Sequence, residues 1–289
     1  MGPAAATTDD VPSSSWSSVP VLEPARTRTR RGRRNSKKHC KNPSLINSDG
    51  TWTIFHSNIR GFNSKKLSLK NIISKVTPNV ITLNEVGLRG SKKCSIQGYD
   101  SYTRNRQNQN MGGVVTAISK VESQFCLKVE EGENKDEYIV TQHGQFMKPI
   151  NIINVYGEQE GRNKNHEIEE RWLKICHHLK MIEDRNEEVI LLGDMNKLVG
   201  NGDYGVSGNN AKVTYGGKLI HKLLSTEKYS LLNNSSKCIG GPFTRVDPSD
   251  SNNKSCLSLV IISTGLQEYV EELIVDNDRN FTPHRATRN

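Results

Sequence analysis

The sequence predicts a layered α/β sandwich, on three observations. Short apolar runs of strand length recur at Val80–Leu83, Val114–Ile118, Ile150–Val155 and Val189–Leu192, each bounded by turn residues or polar stretches. Stretches with apolar residues at helical spacing alternate with them. The texture of the chain also changes at Thr51, before which it is polar and basic.

Taken in order, Trp52–His56 alternates as a half-buried strand does, and Leu69, Ile72, Ile73 and Val76 then repeat at helical spacing. Between His166 and Asp184, the set Ile168, Trp172, Ile175, Leu179, Ile182 steps by four, three, four, three, which is one core-facing stripe of an amphipathic helix. His166, near its start, is expected to cap it. Gly217–Leu224 reads as a helix, and Leu257–Ile262 and Leu273–Val275 as late strands. His177 and His178 sit beside core residues of the long helix and read as packing residues. Arg104–Asn110 is polar and basic without a strand pattern, and reads as a solvated connection. No internal repeat is present, and the pattern leaves the topology open.

The charge is unevenly spread. The 289 residues carry 40 Lys/Arg and 31 Asp/Glu, net +9, with 34% hydrophobic residues. Residues 1–50 hold nine of the cations and four of the acids, hence +5; the other 239 residues hold 31 and 27, hence +4. Two units are therefore expected: 1–50, a disordered basic arm too poor in apolar surface to fold, and 51–289, a folded domain. Within the arm, Arg26–Lys41 has nine cations and no acid in sixteen residues, Arg30, Arg31, Arg33 and Arg34 among them. Such clusters attract phosphates, so the arm is expected to bind DNA and to direct the chain to the nucleus. No apolar run approaches the ~18 residues of a membrane span, and no secretory h-region follows the first Met. No membrane partner is expected, and a monomer is. Six scattered cysteines without a C-x-x-C pair fit neither a disulfide scaffold nor a zinc site.

Polar residues collect where the apolar strands end. Asn58 follows the first strand, Glu85 the second, Tyr156 the run Ile150–Val155, and Asp194 with Asn196 the run Val189–Leu192. Each alone has a plain structural reading as a turn residue, solvated strand end or cap. Together, at four successive strand ends, they describe an active site of layered α/β type. Glu, Asp, Asn and Tyr are hard oxygen donors, which favours Mg2+ or Mn2+ over zinc.

These motifs carry a resemblance. Asn58-Ile59-Arg60-Gly61, Asn84-Glu85, Ile153-Asn154-Val155-Tyr156-Gly157 and Gly193-Asp194-Met195-Asn196, in that order, resemble the endonuclease/exonuclease/phosphatase superfamily. Val213–Gly217, Gly240–Arg245 and Ser255–Ile261 extend the likeness to the endonuclease domains of LINE-type (non-LTR) retrotransposons, from about Trp52 to Arg285. The resemblance implies an α+β fold, a DNase I-like four-layer sandwich of two packed mixed β-sheets flanked by helices. It implies DNA nicking by Mg2+-dependent phosphodiester hydrolysis. Asn58 and Glu85 would hold the metal, and Tyr156 would contact the scissile phosphate. Asp194 would orient or deprotonate the attacking water, with Asn196 beside it. Thr244 would lie near the DNA, and His284 would polarise the phosphate.

Two departures bear on activity. The family's late strand reads Ser-x-Leu-Asp, where this chain has Ser255-Cys256-Leu257-Ser258; its Ser-Asp-His ending is Thr282-Pro283-His284 here. Both remove a carboxylate, and losing one member of a cooperating catalytic set typically costs on the order of a thousandfold in rate. An alternative reading is therefore a catalytically inactive nucleic-acid-binding relic of the same fold. A phosphatase of the same superfamily is a third, which the basic arm disfavours.

Overall fold

A computed structural model of the chain describes residues 51–106, 112–133, 135–161, 163–206, 212–241, 243–246, 254–275 and 287–288. The segment 1–50, expected to form the arm, lies outside them. In chain order the elements begin β1 (Ile54–Asn58), α1 (Phe62–Val76), β2 (Val80–Asn84), β3 (Tyr99–Arg104), β4 (Val114–Ser119), α2 (Lys120–Ser123), β5 (Cys126–Glu131) and β6 (Tyr138–His143). There follow β7 (Ile150–Val155), α3 (Asn165–Asp184), β8 (Glu188–Asp194), α4 (Tyr215–Leu224), β9 (Tyr229–Leu231) and β10 (Cys238–Ile239). The last are β11 (Arg245–Val246), β12 (Lys254–Ser255), β13 (Ser258–Ser263), β14 (Leu273–Val275) and β15 (Thr287–Arg288).

The strands form two mixed sheets and a small β11–β12 ribbon. The first sheet runs β10-β14-β15-β1-β2-β4-β3, with β1 and β2 parallel; the second runs β5-β6-β7-β8-β13-β9, with β7 and β8 parallel. The period-two alternation of each strand explains how they stack. Ile54 and Val80 from the first sheet meet Ile152, Ile190, Leu192, Val260 and Ile262 from the second in one cluster, the core between the sheets. The alternate residues face outward. Phe55, Ile81, Leu83 and Val115 pack against Phe62 and Leu69 of α1. Ile153, Leu191, Leu259 and Ile261 pack against Ile175, Leu179 and Ile182 of α3 and Ile220 of α4. Each such fully buried aliphatic side chain contributes roughly 1.5–3 kcal/mol. The order is helix, sheet, sheet, helix: the predicted four-layer α+β sandwich.

The apolar runs and the stripe of α3 fall where the sequence predicts them. Three differences have local causes. α4 starts two residues early because Thr214 caps it, its hydroxyl accepting from Gly217 N–H at 3.3 Å. His166 does not cap α3: Lys164 holds that position, and His166 is exposed on the first turn. Strands β3 and β5 carry no continuous apolar run, because each is an edge strand of its sheet and keeps polar, half-exposed faces. Among the described residues no helix is long and apolar enough to cross a membrane.

One buried histidine sets a pH response. His143 of β6 is fully buried, its Nε2 3.0 Å from the Thr141 hydroxyl and its ring edge-on to Trp52. Burial pushes its imidazole down to about 4 from the ordinary 6.5. Between those values the unfolded chain binds a proton that the folded chain refuses. This group is therefore expected to withdraw about 3 kcal/mol of stability as pH falls through that window. Denaturant melts of His143→Phe at pH 7 and pH 4.5 should lack this acid dip.

Candidate active site

Along the inner faces of the central strands, apolar residues at one end give way to polar ones at the other. The alternate positions read Ile54-His56-Asn58, Val80-Thr82-Asn84, Ile152-Asn154, Ile190-Leu192-Asp194 and, antiparallel, Ile262-Val260-Ser258. Both parallel pairs point their C-terminal ends the same way, so the two sheets deliver their polar ends to a single pole.

There the predicted residues meet. Asn58, Glu85, Tyr156 and Asp194 are all buried. The Asn58 amide donates to Glu85 Oε1 at 2.9 Å and to Asp194 Oδ2 at 2.5 Å. The Tyr156 hydroxyl donates to the same Glu85 oxygen at 2.9 Å. The other Asp194 oxygen accepts from the Asn196 backbone at 3.1 Å, while the Asn196 side chain holds the Gly157 carbonyl at 2.9 Å. Burial raises the Asp194 carboxyl to about 6, against the pull of the Asn58 amide, the Asn196 N–H and the Arg60 and Arg245 charges. Burial and the neighbouring Glu85 and Asp194 push the Tyr156 phenol far up, so it stays a proton donor.

Not every expectation is met. Thr244, expected near DNA, is fully buried, and its hydroxyl accepts the backbone N–H groups of Leu257 and Ser258, each at 2.9 Å. It supports the start of β13 and has no surface to offer a ligand. Ser258 pairs across the ladder with Asp194, buried, its hydroxyl without a hydrogen-bond partner. His284, Pro283, Arg30, Arg31, Arg33 and Arg34 lie outside the described residues.

The structure adds residues that sequence reasoning left without roles. Asn84 and Asn154, both fully buried, bridge the sheets. Asn84 Oδ1 accepts from the Asp194 backbone N–H at 2.7 Å, and Asn84 Nδ2 donates to Asn154 Oδ1 at 3.0 Å. Asn154 donates in turn to the Val115 carbonyl at 2.8 Å. On the far side of Tyr156, Glu137 holds Arg106 at 2.6 Å and also accepts the Gly113 N–H, and the guanidinium lies 5.3 Å over the Tyr156 ring. Arg60, Glu85 and Asn196 have left-handed backbones, with φ of 47°, 52° and 52°. Such conformations are costly for side chains of this size and gather where a fold holds functional groups.

Among the described residues no cluster of three or more His, Cys, Asp and Glu could cage a metal ion. The donor set nevertheless fits a hard divalent cation that retains water and takes up substrate oxygens. Glu85 and Asp194 converge on one amide, and Asn58 Oδ1, a buried acceptor, has no hydrogen-bond partner.

Known structures share this architecture. The chain is similar to the 3' phosphatase NExo from Neisseria bound to a product DNA hairpin, with a TM-score of 0.66 at 16% identity, covering 82% of this chain and 98% of that one. It is similar to the Xenopus laevis APE2 catalytic domain, with a TM-score of 0.63 at 16% identity over 82% and 90%. It is also similar to the endonuclease domain of TRAS1, a telomere-specific non-LTR retrotransposon, with a TM-score of 0.57 at 13% identity over 82% and 96%. No protein-family model matches the sequence, and no curated protein matches it. Likenesses at such identities speak for the fold and not for a reaction. The chain thus has a DNase I-like fold, the nuclease-like sandwich that these structures share.

Proposed function

We propose that the chain is a retrotransposon-derived endonuclease that nicks DNA by Mg2+-dependent phosphodiester hydrolysis. The observation that carries this reading is the hydrogen-bonded convergence of Asn58, Glu85, Tyr156 and Asp194 from four strand ends in two sheets. Hydrolysis needs a positioned base, a donor for the developing oxyanion and a place for charge on the leaving oxygen. Asp194, its basicity raised by burial, orients and deprotonates the attacking water. Tyr156 remains protonated and donates to a non-bridging phosphate oxygen. Asn196 keeps the Gly157 loop against Asp194. A Mg2+ held by Glu85 and Asn58 would supply Lewis-acid stabilisation of the phosphate charge. The site is assembled within one chain, so a monomer suffices.

His284 enters this reading through its motif alone. His284 lies outside the described residues, and the role given to it, polarising the phosphate, rests on the Thr282-Pro283-His284 motif of the sequence. The basic arm, with Arg30, Arg31, Arg33 and Arg34, would add sequence-independent grip on DNA and nuclear residence. Unchanged distribution after deletion of 26–41 would count against the nuclear assignment.

The test is a supercoiled plasmid with Mg2+ or Mn2+. The native chain is expected to yield open circles and Asp194→Ala is not; intact plasmid with the native chain overturns the activity.

A second reading, a relic that binds DNA without cutting it, is favoured by Ser258, whose orphaned hydroxyl lies cross-strand from Asp194 where the family carries a carboxylate. The nuclease reading predicts that Ser258→Asp increases nicking by tenfold or more. The new carboxylate beside Asp194 should also lower metal-free stability, and Mg2+ should restore it. Nicking absent from both the native chain and Ser258→Asp supports the relic.

A further inference from the structure

At the pole opposite the candidate site, the core between the sheets is not closed. Strands β1, β7 and β8 begin there and β13 ends there, and they leave an open groove of about 1090 Å³. Its floor includes Ile54, Ile150, Ile190, Ile262 and Leu266, all members of the cluster that joins the two sheets. Its walls carry Phe146 and Val270, partly buried, with Met147 and Tyr269, which are 104% and 78% exposed. Apolar surface that continues a core to the outside in this way marks a place where another segment or molecule packs.

Thr51, the first described residue, itself lines the groove, so the chain that precedes it is tethered there. That chain reads Pro43-Ser44-Leu45-Ile46-Asn47-Ser48-Asp49-Gly50. After Val21-Leu22, Leu45-Ile46 is the only adjacent pair of large aliphatic residues before Thr51. The Asn-Ser-Asp-Gly that follows is a turn sequence, suited to reversing the chain over the groove. Five extended residues span at most about 18 Å, enough to carry Ile46 from Thr51 back onto the apolar floor. A segment on so short a tether meets the groove at an effective concentration on the order of millimolar, which a separate molecule would have to exceed.

We propose that Leu45 and Ile46 dock in this groove and close the core between the sheets, so that the folded domain begins near Pro43 and not at Thr51. The arm expected over 1–50 is then shorter by its last residues, which act as a plug. This is independent of the reaction assigned to the opposite pole. The rival occupants are a second copy of the chain and a separate partner.

The test uses the full chain. With p-benzoylphenylalanine in place of Ile46, irradiation of dilute protein should give a cross-link within one chain, mapped by mass spectrometry to Met147 or Tyr269. Leu45→Asp/Ile46→Asp should lower Tm by about 5 °C or more, from the loss of two buried aliphatic side chains, and should raise binding of the apolar dye ANS. Tyr269→Asp, on the groove wall, should act in the same direction, and its loss combined with that of Ile46→Asp should be less than additive. A cross-link between two chains, with a Tm that rises with protein concentration, gives the groove to a second copy and overturns the proposal. Cross-links only outside the groove, or a Leu45→Asp/Ile46→Asp chain with native Tm and native dye binding, overturn it as well.

Discussion

Asp194→Asn is expected to abolish nicking while leaving the metal-free protein more stable at pH 7. Asp194 is fully buried, and burial raises its carboxyl from 3.8 to about 6. At neutral pH the folded chain therefore carries an ion that water would hold better. A displacement of this size corresponds to roughly 3 kcal/mol, part of which the neutral amide recovers. Asn58 can accommodate the change by turning its amide, since its Oδ1 has no partner and could accept from the new NH2. The rate falls by about a thousandfold or more, because an amide cannot take a proton from water. The pH dependence separates this from ordinary repacking. Between about 6 and 3.8 the folded chain binds a proton at Asp194 that the unfolded chain has released. Acidification therefore stabilises through this group, opposite to His143 in the overlapping window. Native protein in EDTA should show a shallow response in which the two offset. Asp194→Asn should expose the full acid loss from His143. An Asp194→Asn variant that is less stable than the native chain at pH 7 and still titrates as it does would contradict this account.

The second large effect lies one layer behind the chemistry. Asn84→Leu removes the acceptor of the Asp194 N–H and the partner of Asn154 in a fully buried site. Leaving two such groups unpaired costs about 2–5 kcal/mol, or a fall in Tm of roughly 5–15 °C for a chain of this size. Nicking by the folded fraction should fall at least tenfold, because Asp194 hangs from this bond by its own backbone. Asn84→Leu/Asn154→Leu should recover part of the stability, since the Asn154 carbonyl is then no longer stranded. A double-mutant cycle measures that coupling directly, and additive losses would show that the two amides act independently.

Much of the site was legible because strand ends are legible: a polar residue closing an apolar run announces itself in Asn58, Glu85, Tyr156 and Asp194. The central strands were readable for the same reason, being buried on both faces. β3 and β5 were not, since an edge strand with half-wet faces leaves neither a clean alternation nor an apolar run. Asn84 and Asn154 stood inside recognisable motifs, yet their purpose depends on a partner in the opposite sheet, which no local pattern encodes. Glu137 reaching Arg106, 31 residues away, is hidden likewise. The left-handed positions at Arg60 and Glu85 are occupied by residues that do not announce such a backbone, although Gly61 and Gly87 stand close by.

The hydrogen bonds that assemble the pole join residues far apart along the chain: Asn58 with Asp194 across 136 positions, Asn84 with the Asp194 amide across 110, and Glu85 with Tyr156 across 71. None of these bonds closes until the two sheets meet. Closing such long loops is the slow, entropically opposed part of folding. Under the proposed function, hydrolysis is thus withheld from the nascent chain and from any half-folded intermediate, so that the cell meets an armed nuclease only once its two sheets have come together.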